Sequence, residues 1–599
     1  MKLNNSQLQS VQHFKGPMMV LAGPGSGKTS VLIQRINHLI SECHVHPENI
    51  LAVTFSRAAA KELEKRYSSM SFQGSSSPTF GTFHSIFFGI LKDSLGLNAR
   101  NIITESKRIE IVEREILKYS FESDDEQLYE SVLNEIGNIK GNLADLNSYV
   151  SSSLPEELFR QVFREYNRSL RDSRLYDFDD MLLFAYKLLK DNPEILTQCR
   201  EKNRFILVDE FQDINMLQYE IIKMISFPLN NLFVVGDDDQ SIYGFRGANP
   251  EIMQRFTKDY PDCARVILNI NYRSTSAIIK AASKVINRNK NRFNKKIIPA
   301  SDTEGESFFL KNFPERKAEA DHIIELIKSK TAEGCPLSEI AVLFRNNYDY
   351  EYLISRLFRE AIPVMVNHEF RSSKFTFAVK DIQSFIHIAS GKVSRADFIR
   401  VMNKPSRLIS REAVSEEDIF LNLKRYYFRR SPKILNSIRI FESQMLFLKD
   451  MTPYAALNYF FNVIGYKSFL SEYAREHSID DSSLQEFIEN VISAASGSKS
   501  FIEFEKNLQL LNAPQKGDKN GVQVMTMHAS KGLEFNIVII PGVNAGAIPS
   551  KRAKTPQSIE EERRLLYVAM TRARNELHIS YLDSYRGKNT GRSEFIKDL

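Results

Sequence analysis

Tryptophan is missing altogether from this 599-residue chain, and cysteine occurs four times. Cys43, Cys199, Cys263 and Cys335 stand far apart and form no Cys-x-x-Cys pair. Zinc ribbons, iron–sulfur clusters and disulfide scaffolds need clustered or paired thiols, so the cysteine pattern argues against all three. No uninterrupted apolar run approaches the roughly 20 residues of a membrane span. The opening "MKLNNSQLQSVQHF" lacks the apolar segment of a secretory signal. The cytoplasm is the expected compartment, with no membrane partner. Glycine and proline, at 25 and 20 residues, show neither a collagen-like nor a disorder-like bias.

What is present is globular. Hydrophobic residues make up 42% and charged residues 26%. The length suggests about three to five domains. The net charge of +6 leans toward a polyanionic partner, but over so long a chain a solvated surface accounts for it equally well.

Two regions alternate short apolar runs with helical segments. In the first, "PMMVLAG", "ILAVTF", "FILVDE" and "LFVVGD" read as strands buried on both faces of a parallel sheet. In the second, "EIAVLFRN", "GVQVMTM", "FNIVIIPG" and "ELHISYL" repeat the pattern. The predicted fold class is α/β with two parallel-sheet cores. Helical periodicity dominates from Ser106 to about Leu170 and from Val379 to about Leu511. Phe159, Val162, Phe163, Tyr166 and Leu170, for example, share one helical face. Each core therefore carries a mainly helical insertion.

The chemistry begins at "AGPGSGKT", Ala22, Gly23, Pro24, Gly25, Ser26, Gly27, Lys28 and Thr29, between an apolar run and a helical segment. Backbone N–H groups of such a loop, with the partial positive charge of the following helix, cradle phosphates. Lys28 is predicted to reach the β- and γ-phosphates and Thr29 to ligate Mg²⁺. In "FILVDEFQD", a buried strand delivers Asp209 to the metal and leaves Glu210 to orient and deprotonate an attacking water. Adjacent carboxylates are costly without a cation, which implies Mg²⁺. The pair predicts a nucleoside triphosphatase using ATP and Mg²⁺. Asp237, Asp238 and Asp239 in "VVGDDDQSIYGFRGA" raise a further question, since like charges side by side repel.

Nine segments in order carry a family likeness: "LNNSQ", "AGPGSGKT", "ILAVTFSRAAAKELEKR", "FGTFHS", "ILVDEFQD", "VVGDDDQSIYGFRGA", "LNINYRST", "VQVMTMHASKGLEF" and "EEERRLLYVAMTRAR". From Leu3 to Arg574 the chain resembles the UvrD/Rep/PcrA group of superfamily 1 DNA helicases. The resemblance implies two RecA-like P-loop cores, 1A and 2A, closing on ATP, with helical insertions 1B and 2B. The expected divisions are 1–92 and 173–264 for 1A, 93–172 for 1B, 265–378 and 521–599 for 2A, and 379–520 for 2B. It implies that Gln7 reads the adenine edge, Tyr272 stacks on adenine and Glu534 holds the ribose. Gln240 senses the γ-phosphate, and Arg273 and Arg572 act as arginine fingers, whose charge arrives on closure. Single-stranded DNA is expected to meet Phe55, Arg57, Thr82, Phe83, His84, Tyr243, Phe245, Thr526 and His528.

Aromatic residues suit such contacts because every base has a π-face, although core packing explains any one of them as well. His84 and His528 lack partners at metal-ligand spacing. The aspartate run is expected to be relieved by metal-bound ligands, loop N–H groups and arginines such as Arg246. Departures from relatives are Ser30 where many carry Arg, Phe245 where Trp is usual, and "VNHEFRSSKFTFAVKDI" at the entry to 2B. The 25 residues after Arg574 are too few for a nuclease domain. The expected function is an ATP-dependent 3′–5′ DNA helicase acting on single strands and on single-strand/duplex junctions. The alternative is a protein–DNA remodeller or motor subunit beside a repair, nuclease or defence partner. A clamp that binds ATP without hydrolysis is disfavoured by the presence of both fingers and the base.

Overall fold

In the computed structural model the described residues are 3–70, 76–118, 126–249, 251–301, 307–346, 351–366, 375–449, 451–476, 481–511, 518–551, 553–585 and 588–599. The first sheet contains β1 (Met18–Ala22), β2 (Ile50–Thr54), β3 (Thr79–Thr82), β4 (Phe205–Val208), β5 (Leu232–Gly236) and β6 (Ala264–Leu268). Its order is β3-β2-β4-β5-β1-β6, with every neighbouring pair parallel. A short parallel pair, β7 (Ile270–Asn271) and β8 (Ile298–Pro299), follows at the crossing between the cores. The second sheet holds β9 (Phe308–Phe313), β10 (Ile340–Phe344), β11 (Val364–Val366), β12 (Val522–Thr526), β13 (Phe535–Ile540) and β14 (Ala573–Leu582). Its order is β11-β12-β10-β13-β14-β9, again wholly parallel. These are two RecA-like P-loop cores.

Strand pleating explains why the apolar runs are continuous. Met19, Leu21, Leu51, Val53, Ile206, Val208 and Val234 enter the core on one face of the first sheet. Their neighbours Met18, Val20, Ala52, Leu207, Phe233 and Val235 enter the core on the other. The second sheet does the same, with Ala341, Leu343, Val538 and Ile540 on one face and Val342, Val524, Ile537 and Ile539 on the other. Helices therefore cover both faces of each sheet, and loops at the strand ends are left to build a site.

Two further apolar cores lie outside the sheets. One gathers Ile103, Val112, Ile136, Phe159, Val162, Tyr166 and Leu170, with Phe163 partly buried against it. The other runs from Phe375 to Leu508, and among the described residues from 376 to 511 it is built from helices without a strand. Residues 367–374 of the altered entry segment lie outside the described residues. Among the described residues no helix is long and apolar enough to cross a membrane. None of the four cysteines is bonded to another.

Candidate functional site

The phosphate loop forms where β1 ends and the helix Lys28–Ser41 begins. Gly25 and Gly27 have φ of +64° and +82°, left-handed values that glycine tolerates. The loop is braced from within by the Ser26 hydroxyl, which donates to the Gly23 carbonyl at 2.7 Å. Gln7 joins it from the helix Asn5–Gln12. Its Nε2 donates to the Ser26 carbonyl at 3.0 Å, while Asn4 and Gln7 cap one another. A Cβ on Gly27 would stand 3.0 Å from Gln7 Nε2, so loop and side chain fit closely.

The end of β4 supplies the carboxylates. Lys28 Nζ donates to Glu210 Oε2 at 3.2 Å, and Gln212 Nε2 donates to the same oxygen at 2.5 Å. Glu210 itself has φ +51°, a left-handed conformation costing a non-glycine residue about 1–3 kcal/mol, held here by these contacts. Burial opposes the Glu210 charge, but Lys28 and Lys531 prevail and hold its carboxyl at about 2. Burial, then the neighbouring Glu210, pushes Asp209 up to about 7. Burial opposes the Lys28 charge too, yet Glu210, Asp237 and Asp209 keep it above the ordinary lysine value.

Lys531, from the turn after β12, reaches back to the first core. It donates to Asp213 Oδ2 at 2.5 Å and to the Gln240 carbonyl at 2.7 Å. Burial nonetheless pushes Asp213 up to about 6. Its Oδ1 is buried without a hydrogen-bond partner.

The second core meets this pocket directly. Tyr272 N–H donates to the Gly25 carbonyl at 2.9 Å, and Asn271 Nδ2 to the Pro24 carbonyl at 2.8 Å. A Cβ on Gly25 would be 2.6 Å from Arg273 Cβ. Arg273 Nε donates to Glu534 Oε2 at 2.7 Å, so the residue expected at the ribose here holds the finger. Arg572 is buried, with Nη2 donating to Gln240 Oε1 at 3.2 Å. Burial, then the nearby Arg273, lowers its guanidinium to about 9. Tyr272 is half-exposed and accepts from Asn4 Nδ2 at 2.9 Å, beside the Gln7 helix. Gln7, Tyr272 and the loop thus border one slot at the seam.

The residues fit a magnesium nucleotide. Gly25 and Gly27 keep open a cradle that a Cβ would fill, and the three acids Asp209, Glu210 and Asp213 gather beside it, with Lys28 paired to Glu210 and Lys531 to Asp213. Thr29 and Asp209 would offer oxygen donors to Mg²⁺.

The aspartate run is relieved differently from the expectation. Lys295 Nζ lies 2.5 Å from Asp237 Oδ1, 2.5 Å from Asp238 Oδ1 and 3.1 Å from Asp239 Oδ2. Arg292 forks onto both oxygens of Asp239 at 2.8 and 2.6 Å. The Phe293 N–H donates to Asp238 Oδ2 at 2.7 Å. A lysine ammonium therefore fills the position proposed for metal-bound ligands, and the Arg246 side chain lies outside the described residues.

The residues expected to contact DNA divide into two groups. Phe55 stacks on Tyr243 with centroids 5.2 Å apart and planes 9° apart. Phe245, 43% exposed, meets Tyr243 at 6.1 Å and the edge of His528 at 5.4 Å. Arg57 is exposed at the start of the helix Arg57–Ser68. The four rings build a contiguous aromatic ledge across the two cores. Phe83 does not belong to it. At 1% exposure it packs in the first core, so its ring is unavailable to a base. The Thr82 hydroxyl is spent capping the helix Phe83–Leu95, and Thr526 Oγ1 accepts the Ala529 N–H at 3.3 Å. His84 is edge-on to Phe178 at 5.9 Å, and burial lowers its pKa.

Lys531, Lys295, Arg292 and Glu561, whose Oε1 accepts the Gly244 N–H at 2.9 Å, are functional contacts that sequence reasoning missed. For Arg292 and Lys295 the available signal was the cationic run "KNRFNKK"; Lys531 and Glu561 lie within the segments "VQVMTMHASKGLEF" and "EEERRLLYVAMTRAR".

Two family models match the chain: the UvrD/REP helicase N-terminal domain over residues 3–261 and the UvrD-like helicase C-terminal domain over 266–584. The putative ATP-dependent DNA helicase YjcD of Bacillus subtilis is 33% identical over all of this chain and 81% of that protein. The ATP-dependent DNA helicase Rep of Buchnera aphidicola (subsp. Schizaphis graminum) is 32% identical, covering 97% of this chain and 93% of its own. The ATP-dependent DNA helicase PcrA of Bacillus subtilis is 31% identical over 96% of this chain and 82% of its own.

Proposed function

Because the chain belongs to the UvrD/REP helicase family, as an ATP-dependent DNA helicase of the UvrD/Rep/PcrA type, we propose that it hydrolyses ATP between its cores to move 3′ to 5′ on single-stranded DNA. Duplex is opened where it meets the tracked strand. The observation that carries this is the seam itself: Arg273 lies against the Gly25 turn, and Arg572 against Gln240, while Lys28 and Glu210 wait on the other side. The working division is 1–92 with 173–264, and 265–378 with 521–599, for the cores, and 93–172 and 379–520 for the insertions, except that β6 pairs with β1 and so carries the first core on to Leu268.

The loop amides from Gly23 to Gly27 and the start of the following helix hold the phosphates. Gln7 reads the adenine edge and Tyr272 stacks on the base, while Glu534 exchanges Arg273 for the ribose as that finger turns to the phosphates. Thr29 and Asp209 would hold Mg²⁺, which would offset the phosphate charge. Lys28 turns from Glu210 to the β- and γ-phosphates. Glu210 then loses its nearest cation, its basicity rises, and it takes a proton from water as the water oxygen attacks the γ-phosphorus. The bond from that phosphorus to the β–γ bridging oxygen breaks, and Arg273 and Arg572 stabilise the charge that develops. When the γ-phosphate leaves, the fingers lose their common partner and the cores part. The 240–245 segment, gripped by Lys531, Arg572 and Glu561, passes that motion to the Phe55–Tyr243–Phe245 ledge.

The test is phosphate release with no nucleic acid, single-stranded DNA or RNA, beside strand displacement from 3′-tailed and 5′-tailed duplexes at low salt. Stimulation by single-stranded DNA and selective opening of the 3′-tailed duplex are expected. Equal opening of the 5′-tailed duplex overturns the polarity, and turnover indifferent to DNA overturns the coupling. Stimulated turnover without displacement selects instead the remodeller or motor subunit of a repair or defence complex.

A further inference from the structure

We propose that Lys295 is a positioning residue for the ATPase step, orienting the Gln240 amide toward Arg572 through Asp237. The proposal rests on the reading of Gln240 as the γ-phosphate sensor. Lys295 belongs to the stretch between the helix Ser276–Ile286 and β9, and its side chain is fully buried against the end of β5.

The three aspartates are not equivalent. Asp239 has the Arg292 fork, and Asp238 has the Phe293 N–H, besides Lys295. Among the described residues Asp237 has Lys295 as its one ion-pair partner. Its other oxygen, Oδ2, accepts from Gln240 Nε2 at 2.5 Å. The amide nitrogen thus faces Asp237, and the amide oxygen is left facing Arg572 Nη2 at 3.2 Å. A primary amide has two donors on one end and an acceptor on the other, so turning it over would aim donors at a guanidinium that is itself only a donor. What prevents the turn is the Asp237 carboxyl oxygen fixed as an acceptor beside the amide nitrogen.

Lys295 Nζ, 2.5 Å from Asp237 Oδ1, fixes the direction in which Oδ2 meets the Gln240 amide. Without that contact the carboxylate can swing away from Gln240 and from its acidic neighbours. The amide then loses the acceptor that keeps its oxygen toward Arg572. Lys295 therefore acts at a distance from the nucleotide, through one carboxylate and one amide. The ammonium sits among all three aspartates, so their cluster is already satisfied and is no cation site.

The experiment is a double-mutant cycle on the single-strand-stimulated ATPase of the full chain, using Lys295→Met, Gln240→Ala and the pair. Lys295→Met is expected to lower kcat by about 10- to 100-fold while the KM for ATP stays within about twofold. In the Gln240→Ala background the same change is expected to lower kcat by less than about twofold, because the group it positions is gone. Lys295→Arg, which keeps the charge, is expected to recover part of kcat. If Lys295→Met does not fold, the cycle is run with Lys295→Arg, whose smaller loss must likewise vanish without Gln240.

Losses that multiply independently overturn the proposal and leave the role of Gln240 intact. Full kcat in Lys295→Met does the same. A Gln240→Ala protein with normal turnover overturns both the sensor and its positioning. A purely structural Lys295 would lower the melting temperature in both backgrounds and kcat equally in both.

Discussion

Replacing Phe245 by alanine tests the ledge where DNA meets the motor. The ring is 43% exposed and touches Tyr243 and the edge of His528 without sitting in a closed core. Its loss should therefore cost less folding stability than the roughly 3–5 kcal/mol of a fully buried phenylalanine. Stacking of a base on such a ring is worth about 1–3 kcal/mol, so affinity for single-stranded DNA should fall by about 5- to 150-fold. The assay is fluorescence anisotropy with a labelled oligonucleotide at several salt concentrations. Because no charge is removed, the slope of log affinity against log salt should be unchanged. Arg57→Ala, by contrast, should flatten that slope by about 0.7, the value of one phosphate contact on a single strand. Weakening of Phe245→Ala by less than about twofold, or a change in its salt slope, would refute the stacking role. Phe83→Ala provides the opposite control, losing stability with little direct effect on the bases.

Glu210→Gln should still bind ATP, since Lys28 and the loop remain, while turnover falls by about 100- to 10,000-fold in single-turnover phosphate release. Normal turnover there removes Glu210 as the base. Asp213 gives a pH signature. Its folded carboxyl is raised to about 6 by burial, so the folded state keeps a proton that the unfolded chain, with a carboxyl near 3.9, has lost. The contribution of this group to stability is therefore lost as pH rises from about 4 through about 6. Thermal melts between pH 4 and 7 should show a flatter profile for Asp213→Asn than for the parent, and an equally steep one contradicts the assignment.

Much of this was legible from residues close in the chain. "AGPGSGKT" forms its cradle from its own backbone, with left-handed glycines where the turn demands them. The continuous apolar runs are strands covered on both faces, so each core shows in a handful of residues. Phe83 was not legible. Phe55 and Phe83 each directly follow a strand, at or just before the start of a helix, yet one ring enters the ledge and the other the core. Hydrophobicity is the same in the two cases, and only the neighbouring elements distinguish stacking from packing.

The sequence by itself determined the two parallel-sheet cores, the phosphate loop and the acidic strand end, because each depends on local geometry and short-range periodicity. Tertiary structure alone decided which charges meet: Lys295 with Asp237, Lys531 with Asp213, and Glu561 with the Gly244 N–H, the last two more than 300 positions apart. Sheet order brings those loop ends together. A buried charge is tolerated only where an opposite one arrives, and no short stretch of sequence states where that will be.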